Sequence, residues 1–469
     1  MKARDDAIAV PIFGVGQLAK SPVVSSQRRI NLYAEVSKDA ERSGFTIYPM
    51  PGLLSVRDIG GAAIRGIYGR GDYLYFVHGS TFYDMNNSGV VTSRGTVSTT
   101  SGNVSFADNG VQLMLVDGTD GYIYNMQTNV FATIADGDFP AATTVTYESG
   151  YFITDAGSGQ RWYISSLNDG TAWDATEYAS ADSNPDDIVR VHADHGEVII
   201  FGTFSTEFWT NSGATDFPYQ RIQTVETGLA AKWSLCKFMS SLVFLGQNRM
   251  GDVQVYVLNG YTPQAISTPE LESIINAYGA VGDAEAYSFV KEGHVFYQIT
   301  FPTADRTWVY DATSQLWSER ETDGGRHRTR FATQWLGNTY CTDPDSGVIY
   351  KLDPSLYTEG GEYVTRKIVT RHLHKNGDFF SVDEICVDME SGIGLASGQG
   401  SDPQIMMRVS KDGGRSWGAE LWRDMGRVGE YTTRAIWRAP VGVCRDFTAE
   451  FTVTDPVKTV FLGGLMRIS

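Results

Sequence analysis

Residues able to do chemistry are scattered through this chain rather than gathered. His372-Leu373-His374 sets two imidazoles on one face of a strand, as a metal pair requires. No third ligand stands nearby, and Arg371 and Lys375 flank the pair with positive charge. His192 and His195 meet the same objection. Residues 182–187 begin like a calcium loop but lack glycine at the sixth position and glutamate at the twelfth, where Ala193 stands. Gly14-Val15-Gly16-Gln17-Leu18-Ala19 fits a loose dinucleotide pattern. Pro11 and Ser21-Pro22 would break the strand and helix which that chemistry needs. There is no Gly-x-Ser-x-Gly elbow, phosphate loop or His-Glu-x-x-His helix. The expectation is no metal, no cofactor and no catalysis.

Binding chemistry is better represented. One basic island is Arg326-His327-Arg328-Thr329-Arg330; the other is Arg366-Lys367 through Arg371-His372-Leu373-His374-Lys375. Each could grip an acidic neighbour or a phosphate backbone, or stand as a solvated strand edge. Against them the whole chain of 469 residues has a formal charge of −17, which argues against a general nucleic-acid coat. Four cysteines lie far apart with no Cys-x-x-Cys pair, as in a protein made in a reducing cytoplasm. No stretch nears the roughly 20 apolar residues of a membrane span, so no membrane partner is expected. Residues 7–19 are apolar behind Lys2 and Arg4, but Asp5, Asp6 and Pro11 spoil a secretion signal.

The elements that must position these residues are strands. A hydrophobic strand, a tight turn and a second aromatic-rich strand recur at Gly71-Asp72, Asn109-Gly110, Ser149-Gly150, His195-Gly196, Ser240-Ser241, Glu292-Gly293 and Leu336-Gly337. A pitch of about forty to fifty residues is that of β-propeller blades. The reading is an all-β chain: a propeller of six or seven blades over residues 61–357, with an extended arm at 1–60 and a β-sandwich at 358–469. The seventh repeat is the weakest. Pro11, Pro22, Pro49 and Pro51 favour extended structure in the arm, which either wraps a neighbouring subunit or closes its own propeller. The segment from Pro269 to Ile275 predicts the best helix, an insertion on the propeller. Ser410-Lys411-Asp412-Gly413-Gly414-Arg415-Ser416-Trp417 resembles the Asp-box hairpin of sialidases, a structural turn in those families.

Two terminal motifs carry a broader resemblance. Gln27-Arg28-Arg29-Ile30-Asn31-Leu32-Tyr33-Ala34-Glu35 is followed by Tyr48-Pro49-Met50-Pro51-Gly52-Leu53. Near the other end stand Gly429 through Arg438, Arg445-Asp446 and Thr454-Asp455-Pro456. Together they resemble the packaged-DNA stabilisation proteins, the tail hub or nozzle proteins of short-tailed phages. The resemblance implies a virion protein assembled in the host cytoplasm as a homo-oligomeric ring, a hexamer, below the portal and its adaptor. Genomic DNA would pass through without sequence-specific binding, and a tail needle or fibre and tailspikes would attach. In that setting Arg28, Arg29, Asn31, Tyr33 and Glu35 of the arm are expected contact residues, with Tyr33 anchored in a pocket. The competing readings are a carbohydrate-active propeller, sialidase-like or a depolymerase, and a host-receptor-binding module.

Overall fold

The computed structural model describes residues 8–21, 24–36 and 44–469. Lys2, Arg4, Asp5, Asp6 and Pro22 lie outside that set. Seven antiparallel blades follow one another, four-stranded except that the fifth has its first strand split into Gly228–Leu229 and Cys236–Phe238: residues 64–96, 105–133, 145–180, 188–225, 228–265, 285–322 and, last, 332–353. Each of the seven turns read from the sequence joins the first two strands of a blade. Ser149-Gly150, His195-Gly196, Glu292-Gly293 and Leu336-Gly337 take positive φ at both residues, the geometry of turns whose twist matches their strands.

The second strand of each blade reads as an apolar run because both of its faces are covered. In Tyr73–His78, Tyr75 and Val77 pack on Leu113, Leu115 and Tyr122 of the second blade. Leu74 and Phe76 pack the opposite way, on Trp335, Tyr340 and Ile349 of the seventh. The seventh blade supplies only three strands of its own. Its fourth is Gly52–Asp58, from the N-terminal segment, antiparallel to Val348–Asp353. The helix Pro269–Ile275 leaves between blades five and six, capped by Thr268, with Leu271 and Ile275 in the core.

The sandwich is likewise shared between the chain's two ends. One sheet runs Leu32–Val36, Phe45–Pro49, Phe461–Ile468, Phe380–Met389 and Ala435–Cys444, with Ile8–Pro11 beside Phe461–Ile468. The other orders Arg28–Ile30, Arg366–Val369, Asp446–Val453, Gln404–Ser410 and Leu421–Asp424. It continues into blade six, because Arg28–Ile30 also lies parallel to Leu316–Thr322. Phe13 of the arm meets Phe451 and Phe461 edge-on, both at 5.7 Å, between the sheets. At the outer edge, Arg423 Nε donates to the Ile436 carbonyl and Lys411 Nζ to that of Val441.

Gly52 begins the closing strand where no side chain fits. A Cβ there would stand 2.5 Å from the carbonyl oxygens of both Leu356 and Thr358. Gly52→Ala should therefore cost about 1–3 kcal/mol. Gly137→Ala, where nothing lies within 4 Å, should be neutral. Thermal unfolding followed by circular dichroism of the two variants measures the difference.

Candidate functional site

The expected contact residues converge where the arm crosses between propeller and sandwich. Arg28 forms a two-pronged pair with Glu319, at 2.7 and 2.6 Å. Arg29 is buried and donates to the carbonyls of Gly16 (2.9 Å) and Trp317 (2.8 Å). Burial pulls it down to about 10, so it stays charged at neutral pH. Asn31 turns the chain with φ of 57°. Its amide donates to the carbonyls of Glu321 and Thr365, and its oxygen accepts from the Glu321 N–H at 3.1 Å. Tyr33 is anchored in a pocket of its own chain, edge-on to His294 (5.0 Å) and Phe296 (5.2 Å), with Lys291 Nζ 5.0 Å from the ring centre. Glu35 is exposed, 3.8 Å from His294 Nε2.

The basic islands are engaged within the chain too. Arg366 is buried and donates to the carbonyls of Asp455 (3.2 Å) and Tyr357 (2.6 Å). Lys367 lies 3.9 Å from Glu450, and Arg371 donates twice to the Pro11 carbonyl. Arg326 pairs with Asp345 at 3.2 Å, Arg330 with Glu285 at 2.5 Å, and Arg328 donates to the Glu359 carbonyl.

One rule explains most of these contacts. Where the arm and linker cross between sheets, several carbonyls point away from any strand partner and are buried, so they need side-chain donors. Lys291 supplies Pro49, Arg320 supplies Pro51, and Arg29 and Arg366 supply the rest. At the centre is Glu359, which pairs with Leu53 of the closing strand and is 3% exposed. It accepts from Thr322 Oγ1 at 2.9 Å, faces His327 Nε2 at 2.8 Å and Arg320 Nη2 at 3.4 Å. Burial alone would raise its carboxyl; the partners His327 and Arg320 reverse this and hold it well below the ordinary range. His327 is fully buried and pushed down to about 4, by burial first and then by the Arg320 charge. Sequence reasoning missed Glu359, Arg320 and Lys291, and had His327 only as a member of a basic island; Arg320 and Lys291 stand in strands, Leu316–Thr322 and Glu285–Lys291, that carry other charges and so hide them.

The other motifs have structural roles. His372 Nε2 sits 3.2 Å from Asp446, and its ring centre is 6.0 Å from that of His374. Among the described residues no group of three or more His, Cys, Asp or Glu is arranged to hold a metal. Residues 14–19 form a loop bridged from Leu18 to Ser26, without the strand and helix of a dinucleotide site. Asp412 closes the Asp-box turn by accepting from the N–H groups of Arg415 and Ser416. Among the described residues no helix is long and apolar enough to cross a membrane.

This two-part architecture is matched piece by piece in known proteins. The family model described as bacteriophage P22 Gp10, beta-propeller, matches residues 8–357. The chain belongs to the bacteriophage P22 Gp10 family. A second model, bacteriophage P22 Gp10, beta-sandwich, matches residues 365–469. Among curated proteins, the tail hub protein gp10 of Salmonella phage P22 is 24% identical over 451 residues, covering 91% of each chain. Among solved structures, the β-propeller domain of Cps50 (Swd1) from Myceliophteria thermophila aligns with a TM-score of 0.42 at 10% identity. That alignment covers 64% of this chain and 99% of the other.

Two outcomes follow for the joint. Glu359→Gln leaves Arg320 without its counter-charge and should cost about 3–5 kcal/mol. Acid should weaken the joint as well. The folded state refuses His327 a proton that the unfolded chain accepts from about pH 6.5 downward. Stability is thus flat above pH 6.5 and falls toward pH 4. Denaturant titrations from pH 8 to 4 should show that slope in the native protein and a shallower one in His327→Gln.

Proposed function

We propose that this chain is a structural subunit of a phage tail hub, acting by assembly and not by catalysis. The observation that carries the reading is the co-linear likeness, over 91% of both chains, to a protein named a tail hub. The architecture supports it: blade six and one sandwich sheet are a single eleven-stranded sheet, so the two domains act as one stiff wall element. Six copies would form a ring below the portal and its adaptor, close the DNA channel after packaging, and carry a tail needle or fibre and tailspikes.

The charge distribution fits this assembly. Residues 61–357 hold 34 Asp and Glu against 16 Lys and Arg, while residues 358–469 hold 15 against 14. Six copies would bear a charge of roughly −100, concentrated in the propellers, past which DNA slides without adhering. Of the expected contact residues, Glu35 is exposed and Arg28, Arg326, Arg328, Arg330, Lys367 and Arg371 are partly so, leaving them to meet a neighbour. The buried ones, Arg29, Asn31, Tyr33 and Arg366, serve by holding the arm.

A glycosidase needs two free carboxylates at a cleft. Within the propeller Asp108, Asp155, Asp194 and Glu285 each pair with a cation, which favours the structural reading. Electron microscopy of the native particle should place a ring of copies between head and distal tail. A chain located elsewhere in the particle, or a monomer that ignores its adaptor and cleaves a glycan, overturns the proposal.

A further inference from the structure

The turns inside the blades, joining first strand to second and third to fourth, all lie at one end of the propeller. They carry only Asp72, Asp216 and Glu292 as acidic residues, and no lysine or arginine. At the other end lie the connections from second strand to third and from blade to blade. These hold sixteen acidic residues against four arginines. Residues 61–357 expose eleven large apolar side chains, and nine of them stand at or beside the turns of the first end. One end of the propeller is therefore acidic, and the other is nearly neutral and apolar.

Blades one to three carry five of the nine. Val90, Val130 and Leu167 are 57, 58 and 61% exposed, and Tyr73 and Val111 accompany them. The three blades are stitched together at this end. Arg70 of blade one pairs with Asp108 of blade two at 3.1 Å, and Gln112 accepts from the Gly170 N–H of blade three at 2.9 Å. Apart from Asp72, the remaining turn residues are uncharged, chiefly Asn, Ser, Gly, Gln and Thr. Apolar side chains within a neutral polar rim have the composition of a protein interface.

The sandwich exposes a second such set at one tip, with Leu395, Val428 and Tyr431. Two loops are tied there, the Gly429 N–H donating to the Gly392 carbonyl at 3.2 Å and the Ser391 hydroxyl to that of Tyr431 at 2.9 Å. Arg427 and Asp402 of the tip pair with each other at 2.7 Å. The sandwich joins the propeller at blade six, and the arm strand before it closes blade seven. In a circle of seven, blade three stands across from that joint. The two apolar sets thus lie on opposite flanks of one subunit.

We propose that the turn end of blades one to three receives the sandwich tip of a second copy of this chain, an inference that rests on the hub reading. Different faces on opposite flanks make a head-to-tail contact, which generates a ring when the rotation closes. Charge selects the pairing. Two acidic ends repel, whereas the sandwich, with 15 acidic residues against 14 basic, meets the neutral end without opposition. Every acidic end is left uncovered.

Full-length chains with Val130→Cys and Tyr431→Cys, built into native particles and treated with a short bifunctional maleimide, should give covalent multimers of this chain. Wild type and either single variant should give none. Val130→Asp with Leu167→Asp should lower incorporation at least about tenfold while thermal unfolding stays unchanged, since both side chains are exposed. Met250→Asp, exposed at the acidic end, should incorporate normally. Should the two aspartates unfold the chain, the cysteine pair decides. A ring of copies that forms normally with both aspartates, a ring of double-cysteine copies without multimers, or Val130→Cys joined to a different protein overturns this docking and leaves the hub reading standing. A native particle without any ring of copies overturns both.

Discussion

The last blade makes only three strands of its own, so this propeller is closed by Gly52–Asp58 from the N-terminal segment, and that strand fixes everything before it. Gly52–Asp58 occupies the outside of blade seven, so the preceding residues emerge at the rim shared with blade six. From there they have no sheet of their own. Arg28–Ile30 fills the gap between blade six and the sandwich, and the flanking strands complete the sandwich's other sheet. The crossings between these insertions bury carbonyls outside any ladder. Arginines and a lysine answer them, and Glu359 in turn balances the arginine beneath. Buried charge here follows from topology.

This order of causes separates what could be read in the sequence from what could not. The blades were legible because each carries a local signal: an apolar run beside a turn that demands positive φ. The seventh was the faintest, and it is the blade with a strand missing from its own stretch of chain. The sandwich strands from Lys367 to Val453 were legible by alternation. That four further strands come from the arm was not, since nothing in Arg28–Ile30 or Ile8–Pro11 encodes a partner more than 280 residues away. The family likeness came through two motifs without chemistry. The structure gives them a physical role: Arg28 to Tyr33 is the bridge, and Pro49 to Leu53 leads into the closing strand.

The basic islands teach a related lesson. Arginine on an acidic chain suggests a polyanion or an acidic neighbour, yet Arg29, Arg366 and Arg371 chiefly serve backbone carbonyls. A planar donor with five N–H groups suits that task better than lysine. At the sandwich edge Arg423 and Lys411 do the same for outward-facing carbonyls, which closes Ala435–Cys444 to a further strand. In a crowded assembly, that leaves contacts to side chains, where geometry is more selective.

The pairing of Ile8 with Ile468 has a consequence in time. Ile8–Pro11 of the arm leaves the ribosome long before its partner strand Phe461–Ile468 is made. At about 5–20 residues per second, an arm of this chain waits tens of seconds before its sheet exists. Blades one to six can fold as they emerge, each from contiguous sequence. The joint cannot. Completion of the fold therefore registers the arrival of Phe461–Ile468, and a product truncated before that strand would keep an unsatisfied arm rather than pass as a finished subunit.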